Sequence, residues 1–174
     1  LQWSSDGRFI ASADESGNII VWDVQNCTQL YKLDGDGTCA GIVSWSQDSR
    51  YLAVGTNKKI IIYVKDEHFP FSQFYVLQEN INKINSISWN LNGNLIVTVA
   101  DEVARLWDMQ SGLCLRILSG FINYAQSAAF SIDGNRLLVA LGRIIDNRVV
   151  SEVLEPGKCA ICKSDSRVLF EKDP

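Results

Sequence analysis

Apolar positions along this chain fall in short runs rich in β-branched residues, each broken off by a cluster of Gly, Asp, Asn or Ser. Arg8-Phe9-Ile10-Ala11-Ser12-Ala13 predicts a strand, and Asn18-Ile19-Ile20-Val21-Trp22-Asp23 predicts its neighbour. Asp14-Glu15-Ser16-Gly17 is the turn between them, built from residues that accept tight or left-handed backbone. The succession returns as Arg50-Tyr51-Leu52-Ala53-Val54-Gly55, the turn Thr56-Asn57-Lys58, and Lys59-Ile60-Ile61-Ile62-Tyr63. It returns again as Asn94-Leu95-Ile96-Val97-Thr98-Val99, the turn Asp101-Glu102, and Val103-Ala104-Arg105-Leu106-Trp107-Asp108. Nowhere do apolar residues recur at the spacing of a helix face, so the expected class is all-β. The longest apolar runs, Lys59 to Val64 and Leu137 to Leu141, are strand-sized and far shorter than a membrane-spanning helix.

Two landmarks repeat in phase. Trp3-Ser4-Ser5-Asp6-Gly7 returns as Trp45-Ser46-Gln47-Asp48-Ser49, Trp89-Asn90-Leu91-Asn92-Gly93 and Phe130-Ser131-Ile132-Asp133-Gly134, in steps of 42, 44 and 41 residues. Trp22-Asp23, Tyr63-Val64 and Trp107-Asp108 follow one another in steps of 41 and 44. A period of roughly 40–45 residues closed by an aromatic-Asp pair marks one β-propeller blade per repeat.

On these residues the chain resembles the WD-repeat (Trp-Asp) β-propeller family, from Leu1 to about Gly142. The resemblance implies blades at about 1–38, 39–83, 84–126 and 127–142 onward, with 143–174 as a divergent completion of the fourth blade or a tail. The expected architecture is a partial propeller of about three and a half four-stranded antiparallel blades, a segment of a longer ring with the family's common seven. The family's Gly-His opening is missing, since His68 is the only histidine and lies elsewhere. The buried tetrad of His, Asp, Ser or Thr and Trp is therefore reduced. Trp22, Tyr63 and Trp107 are expected to be equivalent and buried between blades, with Asp101 at the turn-Asp position and Ser16 and Asn57 in its place elsewhere. An interrupted ring leaves apolar blade faces uncovered, which predicts self-association or docking of the remainder of a longer propeller.

The balance of 16 Lys and Arg against 20 Asp and Glu, without a basic block, offers no footprint for a nucleic-acid backbone. The chain reads as a soluble domain with no membrane partner. The odd count of five cysteines, Cys27, Cys39, Cys114, Cys159 and Cys162, fits free thiols in a reducing compartment, the cytoplasm or nucleus. Asn26-Cys27-Thr28 is read as a chance sequon. The chain opens inside a strand pattern and not at a Met, so its N-terminus is expected to lie upstream, along with any targeting signal.

Three motifs bear on chemistry. His68, in Asp66-Glu67-His68-Phe69-Pro70-Phe71, has no nucleophile or ligand at useful spacing and reads as a loop residue. Cys159-Ala160-Ile161-Cys162 has the spacing of half a zinc site but lacks a second pair. Asp34-Gly35-Asp36-Gly37 opens like a calcium loop without its later carboxylates and reads as the turn entering the second blade. No enzyme activity, cofactor or metal is expected.

What remains is surface. The resemblance implies a partner-binding face made by the loops before each innermost strand and between the second and third strands. That face carries Asp36, Asn80, Lys83, Phe121, Ile122 and Tyr124, with Glu15, Lys58 and Glu102 beside them. The aromatic insert Phe69-Pro70-Phe71-Ser72-Gln73-Phe74-Tyr75 lies at the opposite end, either as a second contact surface or packed onto its own blade. The expected function is a non-catalytic scaffold for protein or peptide partners. The alternatives are a substrate-recognition propeller of a ubiquitin ligase, a corepressor assembly, or a truncated product without independent activity.

Overall fold

A computed structural model of the chain describes residues 1–33, 35, 37, 40–57, 59–66, 71–78, 83–119, 124–134, 136–142 and 150–154, the last five and residues 124, 141 and 142 as backbone. Each repeat folds because its runs pair in antiparallel register across short turns. Sheet 1 contains β1 (Gln2–Trp3), β2 (Phe9–Ala13), β3 (Ile19–Asp23) and β4 (Thr28–Leu33) in that order. Sheet 2 contains β5 (Ala40–Trp45), β6 (Tyr51–Thr56), β7 (Ile60–Val64) and β8 (Ser72–Leu77). Sheet 3 contains β9 (Ile84–Trp89), β10 (Leu95–Ala100), β11 (Val103–Asp108) and β12 (Cys114–Leu118). Sheet 4 contains β13 (Tyr124–Phe130), β14 (Leu137–Gly142) and β15 (Val150–Leu154). The last described strand takes the third place in its sheet without the aromatic landmark that Trp22, Tyr63 and Trp107 give the others. All the described elements are strands, as the periodicity predicts.

The sheets pack face to face in chain order, and each seam is a separate apolar cluster. Phe9, Ala11, Ile19 and Val21 of sheet 1 meet Leu52, Val54, Ile61 and Tyr63 of sheet 2. Ala53, Ile60 and Ile62 from the other face of sheet 2 meet Ile87, Ile96 and Trp107 of sheet 3. Val97, Val99 and Ala104 of sheet 3 then meet Ala128, Leu137 and Val139 of sheet 4. Because sheet 2 is covered on both faces, β6 and β7 are apolar at successive positions and do not alternate with polar ones.

Register places the three aromatic landmarks at one position, through the pairs Ile10↔Trp22, Leu52↔Tyr63 and Ile96↔Trp107. Tyr63 and Trp107 each point toward the preceding sheet. Tyr63 and Trp107 are buried as expected, but Trp22 is not: it lies on the face of sheet 1 turned away from sheet 2 and is 36% exposed. The period fixes which face the ring is on, whereas burial depends on a sheet packed against that face.

The first landmark is a turn lock at the lower end of each sheet. Ser4 Oγ donates to Asp6 Oδ1 (2.6 Å) and accepts from the Phe9 amide (2.9 Å), while Asp6 Oδ1 also takes the Arg8 amide (3.0 Å). Ser46 and Asp48 reproduce these bonds around Arg50 and Tyr51, and Ser131 with Asp133 holds the Arg136 amide in sheet 4. In the third repeat Asn90 substitutes, accepting the Leu95 amide at 3.0 Å and donating to Asn94 Oδ1 at 2.7 Å. The turn needs one left-handed residue, supplied by Gly7, Gly93 and Gly134 at φ near +70°, and in the second repeat by Ser49 at +58°.

Both edge strands of sheets 2 and 3, the outer strand of sheet 1 and the inner strand of sheet 4 are irregular. One extra residue bulges from the inner strand at Gly41, Asn85 and Gln126, positions 44 and 41 residues apart. Another bulges from the outer strand at Leu30, Phe74 and Leu115, again in steps of 44 and 41. All three outer-strand residues are exposed.

Candidate functional site

At the upper end of sheets 1 and 3, short turns carry the exposed acidic residues Asp14, Glu15 and Glu102. In sheet 1 the Asp14 carboxylate accepts the Ser16 amide, the Asn18 amide and Asn18 Nδ2, each at 2.9 Å. The Asn18 side chain, with the Asn18 and Ser16 amides, holds the Asp14 carboxyl below its ordinary value, so it stays charged. This closed turn presents Glu15 outward on a rigid base. In sheet 3 the turn is two residues, with Asp101 left-handed at φ 53° and Glu102 beside it.

These turns also tie the sheets together. The Asp14 carbonyl accepts the Ala40 amide of β5 at 3.2 Å, and the Asp101 carbonyl accepts the Ala125 amide of β13 at 2.7 Å. Asp101 therefore has a structural position at the turn, joining sheet 3 to the innermost strand of sheet 4. The inner-strand bulges lie just below these ties. Bulging turns Gly41 and Gln126 to solvent and swings the Asn85 amide across the seam, where Nδ2 donates to the Ala125 carbonyl at 3.1 Å.

Between sheet 1, β5 and β9 lies an open groove of about 490 Å³. Its walls are Asp14 and Glu15 on one side and Lys83 to Asn85 on the other, with Ala40 to Ile42 as the floor. Of the residues expected on the partner face, the fold brings Glu15 and Lys83 together here. Glu102 is on the same rim at the β10–β11 turn of sheet 3, and Tyr124 begins β13. Asp36, Lys58, Asn80, Phe121 and Ile122 lie outside the described residues, as do His68, the Asp34 and Asp36 carboxylates, and Cys159 with Cys162. Sequence reasoning missed Gly41 and Asn85. Their signal was a small or polar residue recurring in phase just inside each innermost strand.

The reduced tetrad keeps its last bond. Trp22 Nε1 donates to Ser12 Oγ at 3.0 Å and Trp107 Nε1 to Thr98 Oγ1 at 2.9 Å, whereas in the Tyr63 repeat Val54 holds the place equivalent to Ser12 and Thr98. The Asp of each Trp-Asp pair has a separate task at the lower end. Asp23 accepts the Asn26 amide at 3.0 Å, and Asp108 accepts the Ser111 hydroxyl at 2.6 Å and amide at 2.9 Å. These bonds hold both carboxyls below the usual range, led by the Asn26 amide at Asp23 and by the Ser111 hydroxyl at Asp108.

Of the aromatic insert at the lower end, Phe69 and Pro70 lie outside the described residues, and Phe71 and Tyr75 are consumed in packing. Phe71, at φ 104°, lies 6.3 Å from Phe9, 5.5 Å from Tyr31 and 5.8 Å from Trp45, filling the seam between sheets 1 and 2. Tyr75 donates its hydroxyl to the Gln110 carbonyl at 3.2 Å, reaching sheet 3. Phe74 remains exposed against Tyr51 and Tyr75. Cys27 is an exposed thiol beside the Val24 carbonyl, and Cys114 is half-buried and donates to the Arg116 carbonyl at 3.3 Å. Among the described residues no three His, Cys, Asp or Glu side chains gather as metal ligands.

Comparison with known proteins agrees with this geometry. The model of the WD domain, G-beta repeat, matches residues 1–23 and 71–108. The chain is 24% identical over 136 residues to the transcriptional corepressor LEUNIG_HOMOLOG of Arabidopsis thaliana, covering 78% of this chain and 16% of that protein. It is 29% identical over 160 residues to autophagy-related protein 16 of Arabidopsis thaliana, covering 90% of this chain and 30% of that one. The structure of U3-55K superposes with a TM-score of 0.73 at 17% identity, over 86% of this chain and 46% of that chain. The chain thus spans less than a third of these two relatives and under half of the solved structure. With repeats in phase, sheets stacked in chain order and a match to the WD repeat on the residues that carry the Trp-Asp pairs, the chain carries WD repeats and is similar to the WD-repeat β-propeller family.

Proposed function

We propose that the chain is part of a non-catalytic scaffold that holds protein or peptide partners on its upper rim, in the cytoplasm or nucleus. One observation carries the reading: Glu15 and Lys83 meet at an open groove on rigid turns, while Phe71 and Tyr75 of the lower-end insert are spent on the seams. A rigid base that presents unengaged charged groups around a concave floor suits recognition of another chain. Within this reading, a role in a corepressor assembly draws on the relative of that name, and recognition of ubiquitin-ligase substrates is the other assignment of the same rim.

The test is a comparison of ends in the full-length protein. The paired changes Glu15→Lys and Lys83→Glu alter the rim, and Gln47→Glu alters the lower end. Cross-linking mass spectrometry is expected to show partners lost with the rim pair and kept with Gln47→Glu. Partners that survive the rim pair, or are lost equally with both, overturn the proposal.

A further inference from the structure

At the bulge of the innermost strand, the seam between sheets 2 and 3 lacks the side chain that the next seam has. At the seam between sheets 3 and 4, the bulged Asn85 closes the upper rim by donating to the Ala125 carbonyl at 3.1 Å. The equivalent bulged residue of β5 is Gly41, which has nothing with which to reach β9. Its backbone is outside the left-handed region, so φ does not demand glycine there. A Cβ added at Gly41 would meet only Lys83 Cε within 4 Å, at 3.7 Å, an ordinary contact. Glycine at this position therefore leaves a gap that a side chain would fill, and the groove of about 490 Å³ lies over it.

Resting on the rim reading, we propose that this gap receives the arginine side chain of an extended partner peptide. Three features of the groove select a cationic donor. The sheet 1 wall carries two carboxylates, Asp14 and Glu15, against the single amine of Lys83. Asp14 is saturated by its own turn, whereas Glu15 has no hydrogen bond or ion pair among the described residues and is open to a ligand. At the next seam, the groups in this position are a carbonyl and the N–H that satisfies it. A guanidinium has enough N–H groups to serve a carbonyl at the floor and the Glu15 carboxylate at the wall together. Lys83 is the one group that opposes it, which gives the proposal a sign that an acidic ligand would reverse.

The experiment is fluorescence anisotropy of the full chain with a labelled Gly-Ala-Arg-Ala-Gly peptide and its citrulline counterpart, equal in shape but uncharged. The arginine peptide is expected to bind more tightly. Glu15→Gln should weaken it by about twofold to fivefold, as for other solvent-facing ion pairs, and Lys83→Gln should strengthen it. Gly41→Asn should abolish binding while the thermal midpoint holds or rises, because Asn at the bulge closes the seam as Asn85 does. Gly41→Ala, which adds one methyl group, should weaken binding in the same direction if Asn disturbs the strand. Equal binding of both peptides, weaker binding with Lys83→Gln, or unchanged binding with both Gly41 variants overturns the assignment. Any of these results alongside rim-dependent cross-links would leave the scaffold reading standing and remove only the arginine site.

Discussion

The indole bonds of Trp107 and Trp22 have the same geometry in different surroundings, so they isolate what burial adds. Trp107 and Thr98 are 2% and 0% exposed, and their bond is 2.9 Å; Trp22 is 36% exposed, and its bond to Ser12 is 3.0 Å. Trp107→Phe removes the donor and leaves the Thr98 hydroxyl unsatisfied in the seam, at about 1–3 kcal/mol, with roughly another 1 kcal/mol for the smaller ring. Thr98→Val keeps the shape and orphans the indole N–H, again at about 1–3 kcal/mol. Making both changes removes donor and acceptor together, so the double variant should be less damaged than the sum of the two by about 1–2 kcal/mol. The same cycle with Trp22→Phe and Ser12→Ala should give a coupling below about 0.5 kcal/mol, because water replaces either partner. Urea unfolding of the four variants of each cycle, followed by circular dichroism, measures both couplings. A coupling at Trp107 no larger than at Trp22 would refute the argument that the seam makes the bond count.

A second pair of indoles should separate in the same assay. Trp89 Nε1 donates across the seam to the Ser44 carbonyl at 3.0 Å, while Trp45 Nε1 is buried with no partner, so Trp89→Phe should destabilise by about 1 kcal/mol more than Trp45→Phe. Ser49, left-handed at φ 58°, also accepts the Asp6 amide at 3.0 Å, so Ser49→Ala loses the bond and keeps the strain. It should unfold at lower urea than Ser49→Gly, by about 1 kcal/mol, because glycine removes the strain. On acidification, Asp14, Asp23 and Asp108 have folded pKa values depressed below the ordinary 3.8, so their contribution is present above that pH and lost as pH falls through the lower folded values. Stability followed from pH 6 to pH 2 should therefore decline below about pH 3.8, and Asp108→Asn should flatten that decline; an unchanged slope would show that the Ser111 bonds are formed equally in the unfolded chain.

How much of this was legible depends on how far apart the partners lie in sequence. The lock of Ser4, Asp6 and Phe9 closes within five residues, so it left a motif that repeats and reveals the period. Strand faces were legible for the same reason, since alternation is local. Trp22 shows the limit, because its pattern matches that of Trp107 and the difference lies in what packs against its face. Phe71 and Tyr75 were legible as aromatic but not as seam fillers, since their partners Phe9 and Gln110 belong to other sheets. The rim groove was half visible: Glu15 and Lys83 followed from the resemblance, but Gly41 and Asn85 depend on a one-residue shift in pairing that no apolar pattern displays.

The outer-strand bulges at Leu30, Phe74 and Leu115 bear on how such a chain can lengthen. A straight outer strand offers its free amides and carbonyls as a template, and repeating it would multiply sites for fibre growth. Here each of the three described outer strands interrupts that template at the same place, with an apolar side chain standing where main-chain pairing is broken. Tandem duplication of this unit therefore copies the safeguard along with the strand, and a growing array gains blades without gaining edges at which amyloid could begin.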